Sequence, residues 1–103
     1  MDLRICTAIT DRRLLMFAYK GAMRVVEPHL YGRLRTGADA LSGWMRPGWS
    51  RTDPEGEWRM FHADALESLQ ALPERFHGPR PEFNPDDRHF DEVYCRIETQ
   101  PAS

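Results

Sequence analysis

His29, Tyr31, Arg33 and Arg35 stand at every second position of "RVVEPHLYGRLR", residues 24 to 35. Alternate side chains of an extended strand share one face, so this stretch would set an imidazole, a phenol and two guanidinium groups along a single wall. Val26, Leu30 and Leu34 would then point the other way, into the core. Such a wall suits a phosphate or a nucleobase, because arginine grips oxygens in pairs while tyrosine or histidine stacks on a ring. Arg59, in "EWRMFH", shares a face with Phe61 and either joins the wall or pairs with Glu57, Asp64 or another nearby acid. Pro28 leaves a second reading open: a proline here signals an edge strand or a bulge, and a bulge would flip the parity and turn His29 inward as a buried, hydrogen-bonded histidine.

Catalytic chemistry finds less support. Ser42 and Ser50 lie in no nucleophile-elbow sequence, and no glycine-rich phosphate loop is present. His29, His62, His77 and His89 are too widely spaced for a compact metal site. Asp86 and Asp87 beside His89 fit the start of a helix better than an acid–base cluster. The expectation is a non-enzymatic chain without a metal or cofactor.

The elements that must hold these residues follow from turn signals and periodicity. Asp2 can cap a helix through "LRICTAIT", with Leu3, Cys6 and Ile9 on one side. "LLMFAYK", a glycine turn and the opening stretch read as strand, turn, strand, and "TGAD" turns the chain into "ALSGWMR". Residues 47 to 56 form a polar loop bracketed by Pro47, Gly48, Pro54 and Gly56; Trp44 and Trp49 flank it, placed either to stack on a ligand or to shield the end of a barrel. After the strand "EWRMFH", Asp64 with Glu67 resembles a capping box, predicting a helix over "ALESLQAL" with Leu66, Leu69 and Leu72 facing the core beside Phe76. The proline-rich "HGPRPEFNPDDR" should run extended over the surface and cover a sheet edge. Phe90, Val93, Tyr94 and Ile97 then carry the spacing of a last short helix. Together these elements predict a mainly β domain, a small, partly open barrel or strongly bent sheet with an N-terminal helix and one or two C-terminal helices.

The 103 residues fit one domain. No apolar run approaches the roughly 20 residues of a membrane span, and the start lacks the features of a signal peptide, so a cytoplasmic protein without membrane contact is expected. Cys6 and Cys95 lie at opposite ends and read as two reduced, partly buried thiols. The net charge of −2 conceals an asymmetry: residues 1 to 52 hold nine basic and four acidic side chains, residues 53 to 103 five and twelve. All but one of the basic residues are arginine, which favours an anionic partner for the first half.

The order "AITDRRLLMFAYKG", "MRVVEPHLYG", "GADALSGW" and "EWRMFHADALESLQALPERF" resembles the WYL domain, a module of bacterial transcriptional regulators. The resemblance spans about residues 5 to 76, which divides the chain into a WYL-like domain at 1–76 and an extension at 77–103. "PHLYG" and the tail "GPRPEFNPDDRHFDEVY" look like short stand-alone bacterial members of that family. The resemblance implies an Sm-like, SH3-type barrel that senses a ligand, with a nucleotide or single-stranded nucleic acid foremost and His29, Tyr31, Arg33, Arg35 and Arg59 as its contacts. Asp39, Ala40 and Leu41 stand where the family has Trp-Tyr-Leu, so contacts made by both aromatic rings are missing. The alternative is a protein-interaction or homodimerisation module, carried by the proline-interrupted strand or the tryptophans.

Overall fold

The Asp2 carboxylate accepts a hydrogen bond from the Arg4 amide, and the chain coils from there into α1 (Leu3–Asp11). Ile5, Ala8 and Ile9 form its buried face. This geometry comes from a computed structural model, which describes residues 1–46 and 56–99; Trp49, Ser50 and all of the predicted polar loop at 47–56 except Gly56 lie outside the described residues. Six strands follow: β1 (Arg13–Tyr19), β2 (Ala22–Leu34), β3 (Asp39–Met45), β4 (Glu57–His62), β5 (Glu67–Arg75) and β6 (Phe90–Arg96). All pair antiparallel in one sheet ordered β4-β3-β2-β1-β5, and β6 pairs with the far half of β2. The mainly β class, the N-terminal helix and the first four strands thus agree with the sequence reading.

Both predicted C-terminal helices are strands instead, for one shared reason. Glu67 to Gln70 of β5 spans three steps against the two from Ala18 to Met16 of β1, and the extra residue, Ser68, sits in the left-handed region at φ 55°. A second irregularity lies between Ala71 and Arg75, around Pro73. These bulges bring Leu66, Leu69 and Leu72 all onto the larger core cluster, although strict alternation would send Leu69 and Leu72 to opposite faces. A short 3₁₀ turn at Ala63–Ala65 replaces the capped helix start. In β6 the extra residues are Asp91 and Tyr94, so Phe90 and Val93 reach one cluster while Tyr94 and Ile97 reach the other. Strands with bulges carry apolar residues three and four apart, a spacing indistinguishable from that of a helix.

The larger core cluster lies between α1 and the sheet, where Phe17 and Tyr19 both meet Phe61 edge-on at 5.0 Å. Leu30, Leu34, Ala40 and Phe90 form a second cluster. Consequently β2 is buried without interruption from Val25 to Gly32, covered on both faces. Gly32 is required by this arrangement, since a Cβ there would run into the Glu92 carbonyl oxygen of β6. A covalent tie closes the structure: Cys6 of α1 and Cys95 of β6 form a disulfide, which corrects the expectation of two reduced thiols. Sequence separation had made the pair look unrelated, but β6 returns its end beside the helix.

Candidate functional site

The predicted wall along β2 is not assembled. The register between β2 and β3 slips between Pro28 and Leu30, so the bulge signalled by Pro28 is real and parity changes across it. His29 is fully buried. Its Nδ1–H donates to the Glu27 carbonyl oxygen at 2.8 Å, and Nε2 accepts the Arg80 amide at 3.1 Å, which fixes the neutral tautomer. Burial among Trp58, Phe76 and Phe83 lowers the His29 pKa, outweighing the opposing pull of Glu27. Tyr31 is also buried, with Val26 in the larger cluster, and its hydroxyl accepts the Asp2 amide at 2.9 Å. Burial raises the Tyr31 pKa.

The three arginines are dispersed among local partners. Arg33 pairs with Asp91 at 3.1 Å and Glu92 at 3.2 Å on β6. Arg35 donates from Nε to the Arg88 carbonyl at 2.7 Å, and Arg59 pairs with Glu57 at 2.6 Å. His29, Tyr31, Arg33, Arg35 and Arg59 therefore do not share a hollow. The shared-wall reading fails because the bulge sends Tyr31 into the cluster under α1, β6 takes Arg33, and the strap at 77–89 covers His29 and engages Arg35.

A different pair of arginines does converge. Glu27 is 2% exposed and accepts three hydrogen bonds: from Arg80 Nε to Oε1 at 3.0 Å, from Arg80 Nη2 to Oε2 at 2.9 Å, and from Arg46 Nε to Oε2 at 2.8 Å. Burial alone would raise the Glu27 pKa, but the two guanidinium groups overcome it and hold the carboxyl below its ordinary value. Arg46 stands just past the end of β3, and Arg80 arrives on the strap, with its guanidinium 4.6 Å from the Trp44 ring centroid. Trp44 is thus a platform for an arginine of the same chain. Gly43 accommodates the bulged neighbour, because a Cβ there would come within 2.5 Å of the Glu27 carbonyl oxygen.

Arg46 and Arg80, with His77, Gly78, Pro79 and Pro81, line a cavity of about 240 Å³ over Glu27. Two guanidinium groups converge there on one buried carboxylate, with Glu82 the further acid that acts on Arg80, and both arginines remain more than a third exposed along their side chains. A larger cavity, of about 550 Å³, opens beside Tyr31 and is lined by Asp2, Asp39 and Asp64, with Arg4 already tied to Asp2. An anion is disfavoured there and favoured over Glu27. The sequence hinted at this site only through its general excess of arginine; Glu27 and Arg80 are 53 residues apart, and nothing in their local spacing pairs them.

No family model, curated protein or solved structure matches this chain. Among the described residues no group of three or more His, Cys, Asp or Glu is placed to hold a metal ion, and no helix is long and apolar enough to cross a membrane.

Proposed function

We propose that this protein is a non-enzymatic ligand-binding module whose Arg46–Arg80 cleft grips the phosphate or carboxylate group of an anionic ligand, a nucleotide or short single strand being the leading class. The observation that carries this reading is the buried Glu27 carboxylate held by two guanidinium groups at once. Among the described residues, neither terminal nitrogen of Arg46 nor Nη1 of Arg80 bonds to Glu27, which supports a grip by these donors on an incoming oxyanion. A cavity of about 240 Å³ accepts such a head group, while the rest of the ligand would lie outside it. The sheet order, the N-terminal helix and the 3₁₀ turn between β4 and β5 support an Sm-like, SH3-type barrel, and with it the WYL-like reading as a regulatory sensor of the cytoplasm. At the namesake positions Asp39 accepts the Tyr94 hydroxyl at 2.7 Å and Ala40 is buried, which supports reading the ligand site of this chain elsewhere.

The test is calorimetric titration of the intact protein with AMP, inorganic phosphate and a short oligonucleotide at two salt concentrations. Binding should weaken with salt and fall at least tenfold in Arg46→Gln, which keeps the Arg80–Glu27 pair. Salt-independent binding, or an unchanged affinity in Arg46→Gln, would overturn the proposal.

A protein-interaction role is the second reading, and one observation favours it: β4 and β5 end the sheet, each with a single strand neighbour among the described residues. Light scattering across concentration would reveal self-association along those edges.

A further inference from the structure

Positive charge continues past the Arg46–Arg80 cleft along the surface. His77 and Gly78, which line the cleft, run beside the end of α1. Arg12 Nη1 donates to the His77 carbonyl oxygen at 3.3 Å, and a Cβ on Gly78 would stand 3.6 Å from that nitrogen and 3.7 Å from Arg12 Cζ. The Arg12 guanidinium therefore lies against the lip of the cleft. The Arg12 carbonyl oxygen in turn accepts the Phe76 amide at 2.8 Å, which holds the two segments side by side. Phe76 is buried while its neighbours Arg75 and His77 are exposed, so both turn away from the core next to Arg12.

Two features set this extension apart from an ordinary solvated face. Arg12 ends α1 at φ 57° and ψ 40°, the left-handed conformation that glycine or asparagine usually takes, so a long cationic side chain stands where the backbone favours another residue. Among the described residues, moreover, neither Arg12 nor Arg75 forms an ion pair, although Asp11 and Glu74 immediately precede them. Asp11 lines the neighbouring groove between α1 and β5 instead. Resting on the cleft reading above, we infer that the ligand is a single-stranded nucleic acid held by its backbone: one phosphate enters the Arg46–Arg80 cleft, the next crosses Gly78 onto Arg12, and Arg75 lies beyond. From Arg75 to Arg80 the chain advances five residues, at most about 18 Å when extended, room for about two or three backbone phosphates. Such a track selects for the number of linked phosphates rather than for base sequence.

The experiment titrates the intact, disulfide-bonded protein with AMP, a short oligothymidylate and inorganic tripolyphosphate at several salt concentrations. The oligothymidylate should bind at least tenfold more tightly than AMP and with a steeper salt dependence. Arg12→Gln and Arg75→Gln should each weaken it several-fold and reduce its salt slope by about one, while AMP binds as before. Arg12→Gly, which suits the left-handed end of α1, should lose the same oligothymidylate affinity, separating the guanidinium from any effect on the helix. The inference is overturned if the oligothymidylate binds no more tightly than AMP, if both Arg12 variants bind it as the parent does, or if tripolyphosphate binds and the oligothymidylate does not. Failure of the cleft reading looks different: oligothymidylate affinity would then fall in Arg12→Gln but not in Arg46→Gln.

Discussion

Arg80 reaches His29 and Glu27 at once: its amide fills the one acceptor of the buried imidazole, and its guanidinium forks onto the carboxylate two residues earlier. One residue of the strap therefore satisfies both polar groups buried at the β2 bulge. The bulge exposes these groups to the strap, and the strap makes their burial tolerable. Phe83 extends the same contact by packing on His29 at 5.1 Å and stacking on Trp58 at 6.1 Å.

Removing the carboxylate should therefore do more damage than removing an exposed ion pair. Glu27→Ala leaves two guanidinium groups facing a buried gap, an error worth about 3 kcal/mol, discounted from the full buried-pair range because both arginines are partly solvated. Glu27→Gln keeps the shape and some hydrogen bonds, and about 1 to 2 kcal/mol is expected. Arg59→Gln, which touches only the half-exposed Glu57 pair, should stay within about 1 kcal/mol of the parent. Urea unfolding curves rank the three; equal midpoints for Glu27→Ala and Arg59→Gln would refute the anchoring role of Glu27.

The pH dependence of stability follows from the same pair. His29 has its folded pKa lowered by burial, so between that value and the ordinary value of about 6.5 the unfolded chain binds a proton that the folded chain refuses. Stability from this group is complete above about pH 6.5 and declines as the pH falls, with a slope of at most about 1.4 kcal/mol per pH unit for one proton. Glu27, also lowered, adds a second loss below its ordinary value of about 4.3. Unfolding free energies at pH 7.5, 6.5 and 5.5 should fall in that order, and His29→Gln should flatten the upper part of the curve. A parent protein equally stable at 7.5 and 5.5 would contradict the neutral, buried imidazole.

The sequence disclosed strands where one face meets water and turns carry glycine, as in β1, β3 and β4. It was ambiguous where local geometry departs from strict alternation. Leu66, Leu69 and Leu72 carry helical spacing because Ser68 and the Pro73 region each disturb the ladder of β5, and Phe90, Val93 and Tyr94 do the same in β6. For β2, Pro28 pointed to the bulge but not to what would cover it. The row His29, Tyr31, Arg33, Arg35 looks like one wall in the sequence because local spacing shows neither that the bulge turns Tyr31 under α1 nor that residues 77–89, a segment with no periodicity, cover His29. Long-range partners such as Glu27 with Arg80 and Cys6 with Cys95 leave no mark in local spacing.

The disulfide should be a major share of the stability. It closes a loop with a sequence separation of 89 residues, for which the chain-entropy account gives about 4 to 5 kcal/mol, the observed range for such bonds being about 2 to 5. The double variant Cys6→Ala with Cys95→Ala, or the parent protein held in a dithiol reductant, should unfold at markedly lower urea concentration. Cys6 and Cys95 are bonded to each other, so the parent should show its two thiols only after reduction. Two free thiols in the untreated native protein would remove the bond from the fold. Bonds of this kind persist in oxidising compartments and are rare in the cytosol, so thiol counting on freshly isolated protein also bears on the expected cytoplasmic location.

Gly32 offers a local test of how tightly β6 is held. A methyl group at this position would overlap the Glu92 carbonyl oxygen and press on Val93 Cα at 3.0 Å and Phe90 Cδ1 at 3.1 Å. The nearest obstacles are backbone, so β6 itself has to move. It cannot move freely: Cys95 is bonded to Cys6, and the Tyr94 hydroxyl donates to Asp39. Gly32→Ala should consequently cost about 1 to 3 kcal/mol, in the range of overpacked cores. Hydrogen exchange should show lost protection concentrated in residues 90–96 and in their partners at 30–34, while β1 paired with β5 keeps its protection. Met23→Ala, at an exposed strand position, serves as the control and should change stability by no more than about 0.5 kcal/mol. A Gly32→Ala protein as stable as that control would mean that β6 does not lie against Gly32 in solution.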